Sequence, residues 1–143
     1  MIRIMLFLTL AALVGCTSLE VRPLPSQPVK IDCVCIKKNA DVNVDDFVQV
    51  VQEGFARHGL TTKLIDGPMP ADCHYVLEYT ADRWWDMAPY MADARLTITK
   101  DGAYLSSGHY HLNGHGGFDL GKYAGTASKL NPVIDQMLQA FKE

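Results

Sequence analysis

Three hydrophobic patterns follow one another along this chain. Residues 4–14 are apolar apart from Thr9. Such a run lacks the alternation of a surface helix and is too short to span a bilayer as a stable helix. Residues 29–36 are apolar on both faces of an extended chain: Val29, Ile31, Cys33 and Cys35 on one side, Val34 and Ile36 on the other. A strand of this kind belongs in the middle of a sheet. Residues 44–58 carry Val44, Phe47, Val48, Val51 and Phe55 at helical spacing. Asn43 and Asp46 suit the start of that helix and Gly59 its end. A short strand follows near residues 62–65, and Asp66-Gly67-Pro68 with Pro70 breaks the chain.

Strict alternation then takes over. Tyr75, Leu77, Tyr79, Ala81 and Trp85 alternate with Val76, Glu78, Thr80, Asp82 and Trp84. With a turn at residues 86–89 and Trp85 opposite Tyr90, the positions Ala92, Ala94, Leu96 and Ile98 all reach the apolar face. Asp93, Arg95, Thr97 and Thr99 reach the polar one. One register satisfies both strands, and a slip by one residue would invert every side chain. Lys100-Asp101-Gly102 suits a three-residue turn with a left-handed glycine. That turn puts Tyr104, Ser106, Gly108, Tyr110 and Leu112 on the core face. A glycine-rich stretch from Gly114 to Gly125 follows. Asn131-Pro132 reads as a helix start, and Ile134, Met137, Leu138 and Phe141 form its buried stripe.

The expected fold is therefore α+β: a two-layer sandwich in which a mixed five-stranded sheet (β-α-β-β-β-β-α) carries two helices on one face. Residues 29–143 form one domain. Residues 16–28 contain Pro23, Pro25 and Pro28 and read as an extended tether.

The first segment sets the address. Arg3 and the apolar run lead into Leu13-Val14-Gly15-Cys16, which resembles a bacterial lipobox. The resemblance implies that residues 1–15 are a removed signal peptide and that Cys16 carries a diacylglycerol anchor and a further acyl chain such as palmitate. Thr17 rather than Asp at the next position implies the outer membrane, periplasmic face. Several acyl chains on one cysteine hold firmly, at about 0.8 kcal/mol per buried methylene.

Removing Arg3 with the signal leaves 12 basic residues, from 13 less one, and 16 acidic, a net charge of −4. Nothing in that balance points to nucleic acid. In an oxidising compartment Cys33, Cys35 and Cys73 leave one disulfide and one odd thiol. If the first meander strand runs antiparallel to residues 29–36, Cys73 lies nearer Cys35 than Cys33. Cys35–Cys73 is then the preferred bridge, with Cys33 reduced and buried. A metal site at these cysteines is weaker, because Cys-x-Cys lacks the usual two-residue knuckle spacing.

Two likenesses follow from these residues. The architecture is similar to that of small periplasmic α/β lipoproteins, such as penicillin-binding-protein activators and transporter auxiliary lipoproteins. Trp85-Asp86, Tyr110-His111-Leu112, Gly116-Gly117 and Gly125-Thr126, with Lys129 and Pro132, resemble a family of small outer-membrane lipoproteins of Gram-negative bacteria whose function is uncharacterised. The resemblance covers most of the chain after Cys16 and implies no activity.

Candidate chemistry is sparse. In the expected register Asp82, Asp93 and His109 form a row on the solvent face, with His111 and His115 nearby. A divalent metal could sit there, although a plain exposed polar face is the simpler reading. Trp84 and Met91 would form an outward patch for a partner while Trp85 points inward. The glycine stretch lacks the Lys-Ser/Thr ending of a phosphate loop. No Gly-x-Ser-x-Gly or Cys–His arrangement argues for catalysis, and no cofactor is expected. The leading expectation is a non-enzymatic, lipid-anchored accessory module that docks on an envelope protein. The alternative is a metal- or small-ligand-binding lipoprotein using the His/Asp sheet face.

Overall fold

A computed structural model describes residues 17–26 and 30–141. The described residues form six strands, β1 (Thr17–Arg22), β2 (Cys33–Lys37), β3 (Thr61–Ile65), β4 (Tyr75–Asp86), β5 (Ala88–Lys100) and β6 (Ala103–Leu112). They also form two α-helices, α1 (Phe47–Arg57) and α2 (Thr126–Met137). The six strands make one mixed sheet in the order β1-β6-β5-β4-β2-β3. The fold is α+β, with one strand more than the sequence pattern suggested.

The extra strand is β1, which falls inside the expected tether. It pairs antiparallel with β6, Thr17 opposite Leu112 and Arg22 opposite Ser107. Leu24 is buried, and its backbone N–H donates to Met137 O at 2.9 Å. Leu19 and Val21 explain the error. They lie opposite Tyr110 and Gly108, so the segment alternates like an edge strand, and the prolines begin only at Pro23. The predicted signal segment, and Cys16 with it, lies outside the described residues.

β2 is central, as its two apolar faces require, and it runs parallel to both neighbours. Helix α1 provides the crossover from β2 to β3 that parallel pairing needs. The antiparallel arrangement expected for β2 and β4 is thus wrong, yet the bridge it was used to argue is present: Cys35 and Cys73 are joined with Cα atoms 5.9 Å apart. Cys73 reaches Cys35 because the chain curls back just before β4, where Cys73 N–H donates to Pro70 O and His74 N–H to Asp72 O. Cys33 is the free thiol and is half-buried rather than buried.

The β4–β5 register is the expected one from Leu77–Ile98 through Asp82–Asp93. The following turn differs. Lys100 faces Ala103 across a two-residue loop in which Asp101 and Gly102 both have positive φ (49° and 80°), the geometry that matches strand twist. Two residues instead of three would turn β6 over. An irregularity next to Leu105 restores the facing, so Ser106, Gly108, Tyr110 and Leu112 are buried while Tyr104 is exposed.

Both helices make contacts with residues of this sheet. Phe47 of α1 stacks on Tyr79 with ring centroids 4.9 Å apart. α2 starts at Thr126, five residues earlier than the Asn131-Pro132 signal indicated, and Pro132 lies inside it. The buried set Thr126, Lys129, Leu130, Val133, Ile134 and Met137 accounts for that start, because its first members precede the proline. α2 presses so closely on β6 that a Cβ at Gly108 would lie 2.3 Å from Val133 Cγ1 and 2.6 Å from Met137 Sδ. Gly54 of α1 plays the same part against Ile134, at 2.8 Å.

Two outcomes test this account. Gly108→Ala should destabilise the domain by about 1–3 kcal/mol in denaturant unfolding through overpacking; adding Val133→Ala should recover part of the loss. The bridge closes a separation of 38 residues, worth about 4 kcal/mol in the loop-entropy model. Cys35→Ala and Cys73→Ala should each lose this stabilisation, while Cys33→Ala should keep it, read from melts with and without reductant.

Candidate functional site

The β4–β5 hairpin runs beyond the rest of the sheet. After the Asp82–Asp93 pair the next partners are Arg83–Met91, so Ala92 is an extra residue and the ladder bulges. From there Trp84 faces Tyr90, Trp85 faces Pro89, and Met87 forms the tip with φ 61°. The bulge overturns the expected patch. Met91 is buried, not outward, and Trp85, expected inside, is 75% exposed. Trp84 is half-exposed as anticipated, though without Met91 at its side. The physical reason is the extra residue Ala92, which offsets the ladder by one beyond Asp82–Asp93, where the run of buried residues on β4 has already ended at Ala81.

The glycine stretch folds against this hairpin. Two 3-10 turns, Asn113–Gly116 and Leu120–Tyr123, carry it, and Gly114, Gly116 and Gly117 all have positive φ. Lys122 pins it down. Its Nζ donates to Asp86 Oδ2 at 2.5 Å and to Gly117 O at 2.9 Å. The hydrogen bond to Asp86 holds the Lys122 ammonium above its usual range. Tyr123 donates its hydroxyl proton to Asp86 O. Pinned in this way, the hairpin and the loop together expose Trp85, Met87, Phe118 and Leu120, with Phe118 fully exposed.

Behind the ridge lies Lys129, named from the sequence only within a family likeness and given no role there. Its side chain is buried, yet it donates to Met91 O at 2.8 Å and to Lys122 O. Its Nζ lies 5.8 Å and 5.7 Å from the ring centres of Tyr90 and Tyr110. Burial pulls the Lys129 ammonium below its usual range and pushes the Tyr110 hydroxyl up to about 12. Both groups therefore serve the fold: the lysine ties Met91 O, beside the bulge, to Lys122 O, and the tyrosine stays neutral. A lysine at a buried helical position, beside a tyrosine-rich strand, was the signal available in the sequence.

A second cluster lies on the opposite face of the sheet. Asp93 is directly opposite His111 on β6, and His109 is opposite Arg95. The expected row of Asp82, Asp93 and His109 is therefore Asp82, Asp93 and His111, displaced by two residues through the shorter turn and the β6 irregularity. His109 still reaches the carboxylate diagonally. Its Nε2 is 2.7 Å from Asp93 Oδ2, and His111 Nδ1 is 2.8 Å from the same oxygen. Asp82 faces Asp93 from β4. His115 sits in the first 3-10 turn, and its side chain lies outside the described set.

No family model matches the sequence, and no curated protein matches it. Solved structures do. Two structures of PelC from Paraburkholderia phytofirmans, both dodecamers and one of them a point variant, align with a TM-score of 0.56 at 14% identity. The alignment covers 87% of this chain and 96% of PelC. At that identity the likeness is one of fold.

Lys129→Met, which keeps the apolar stem and removes the donor, should cost about 2 kcal/mol or more by orphaning buried carbonyls. Trp85→Ser, on the exposed ridge, should stay within about 0.5 kcal/mol of wild type. Thermal melts of the two variants decide it, and equal losses would overturn the placement of both side chains.

Proposed function

We propose that this chain is a lipid-anchored protein of the outer membrane's periplasmic face, belonging to the small lipoproteins it resembles, and that it acts without catalysis as a docking or accessory module for an envelope partner. The observation that carries the reading is the coincidence at one end of the sheet. Cys16 immediately precedes β1, and β1 starts opposite Leu112, where β6 ends. The exposed apolar ridge of Trp85, Met87, Phe118 and Leu120 belongs to the same end of the molecule. From the Thr17–Leu112 level the hairpin continues for five residues to Met87, roughly 15 Å of extended chain. Acyl chains at Cys16 and a ridge of tryptophan, methionine and phenylalanine then meet one bilayer surface, and aromatic side chains favour its interfacial layer.

In this reading the two helices form one layer over the apolar face of the sheet, a layering supported by the Phe47–Tyr79 stack and the α2–Gly108 contact. The polar face remains for a partner. No helix among the described residues is long and apolar enough to cross a membrane. PelC is a dodecamer, which favours a further reading in which copies of this chain assemble on the membrane; light scattering of the detergent-solubilised protein tests it.

Cys16→Ser should leave the protein unprocessed or soluble, and membrane fractionation with a carbonate wash reads this directly. If the variant still fractionates with the outer membrane, the anchor is not at Cys16. Soluble Cys16→Ser protein should show weak binding to phosphatidylethanolamine–phosphatidylglycerol vesicles, lost in a Trp85→Glu, Phe118→Glu double variant that melts like its parent. Vesicle binding unaffected by that pair would remove the ridge from the proposal.

A further inference from the structure

We propose that Asp93, His109 and His111 form a zinc site on the polar face of the sheet. The site stands apart from the lipoprotein reading and holds whether or not Cys16 is acylated.

The argument begins with the ladder. Asp93 and His111 are direct cross-strand partners, and His109 lies two residues along β6 on the same face. Backbone pairing on both sides therefore sets the three Cα positions before any metal arrives. One oxygen, Asp93 Oδ2, lies 2.7 Å from His109 Nε2 and 2.8 Å from His111 Nδ1. All three donor atoms lie within 4.8 Å of one another. Tetrahedral zinc with bonds near 2.0–2.1 Å sets its ligands about 3.3 Å apart. Room for the ion needs the two present contacts to open by about half an ångström and the two ring nitrogens, at most 4.8 Å apart, to settle at the same spacing, adjustments of side-chain rotamers on a fixed ladder.

The donor set suits zinc. Two imidazoles and one carboxylate are a familiar three-ligand combination, and the fourth position is left for water or a partner's donor. Two imidazole N–H groups now point at one carboxylate oxygen. A cation takes the place of those two N–H groups, and each neutral imidazole shifts its single hydrogen to the far nitrogen.

Neighbouring charge is mixed and can be read from the register. Asp82 faces Asp93 from β4, and Glu20 faces His109 from β1. Both add negative potential. Arg95 opposes them, with Nη2 3.5 Å from His109 Nδ1. With zinc on Nε2, the His109 proton moves to Nδ1 and faces that guanidinium. Arg95 must then swing away, so it weakens the site without blocking it.

A second pair supplies the control. His74 Nδ1 lies 2.7 Å from Asp101 Oδ1, a contact of the same kind with no second histidine. Cys33 is a half-buried free thiol that also attracts zinc, so the measurement uses full-length, detergent-solubilised protein carrying Cys33→Ser.

Zinc chloride is titrated in competition with a chromophoric chelator. One saturable equivalent per chain is expected. His109→Ala and His111→Ala should each weaken it about tenfold or more, His74→Ala should leave it unchanged, and Arg95→Ala should tighten it severalfold. Cobalt substituted at the site should give a visible spectrum without thiolate charge-transfer absorption. Zinc should raise the melting temperature of the parent and not of the His109 and His111 variants. His111→Gln serves if His111→Ala does not fold. No saturable uptake, uptake indifferent to both β6 histidines, or uptake lost with His74→Ala would each overturn the site.

Discussion

The β4–β5 ladder is the constraint on which this molecule depends. From Leu77–Ile98 to Asp82–Asp93 its two strands keep one apolar face and one polar face in a single register. The apolar face supplies Leu77, Leu96 and Ile98 to the core. The polar face collects carboxylates, imidazoles and a guanidinium. Neither the core nor the candidate metal site survives a slip by one residue, since every side chain would change sides. β6 and β1 inherit the register from β5, so the Asp93–His111 pairing and the Glu20–His109 pairing are consequences of one choice made in the middle of the sheet.

The sheet is irregular at two places, once between β4 and β5 and once between β5 and β6, and both breaks have effects at a distance. The extra Ala92 lets the hairpin leave the core, carries Trp85 into solvent and brings Met91 inside. Next to the bulge a buried lysine from α2 donates to Met91 O. The same Nζ also holds Lys122 O, and the Lys122 ammonium in turn holds Asp86 and Gly117. Two lysines thus connect helix, bulge, hairpin and glycine stretch. The break by Leu105 has the opposite effect: it cancels a turn that would have inverted β6 and keeps Gly108 under α2.

This explains which parts of the fold the sequence revealed. Periodicity made the helical segments, the central strand and the meander legible, because each rests on an alternation that burial enforces. The bridge between Cys35 and Cys73 was also legible, although the strand direction used to argue it was not. Directions of neighbouring strands are set by crossovers, and the short curl ahead of β4 that delivers Cys73 has no periodic signature. β1 was hidden because three nearby prolines outweighed the Leu19–Val21 alternation. Bulges were hidden for a deeper reason. A single inserted residue changes no composition and breaks no local rule, yet it moves Met91 and Trp85 to opposite fates. For the site, the chemistry of Asp93 and His109 was visible, but the identity of the third partner was not. His111 rather than Asp82 completes the cluster because the turn is one residue shorter than assumed and the strand irregular just beyond it.

β1 ties the two proposals into one geometry. Ser18 faces His111 and Glu20 faces His109, so the edge strand that follows Cys16 also borders the histidines. Ser18 is two residues from Cys16, about 7 Å of extended chain. With Cys16 acylated, the histidines lie close to the headgroup layer rather than far out in the periplasm. Their open coordination position is then restricted to donors able to approach along the polar face, from solvent or from a protein on the same membrane. A lipid anchor attached through a long tether would impose no such limit. β1 is paired with β6 from Thr17, its first described residue, so an anchor at Cys16, as proposed, would join the sheet directly rather than through a long linker.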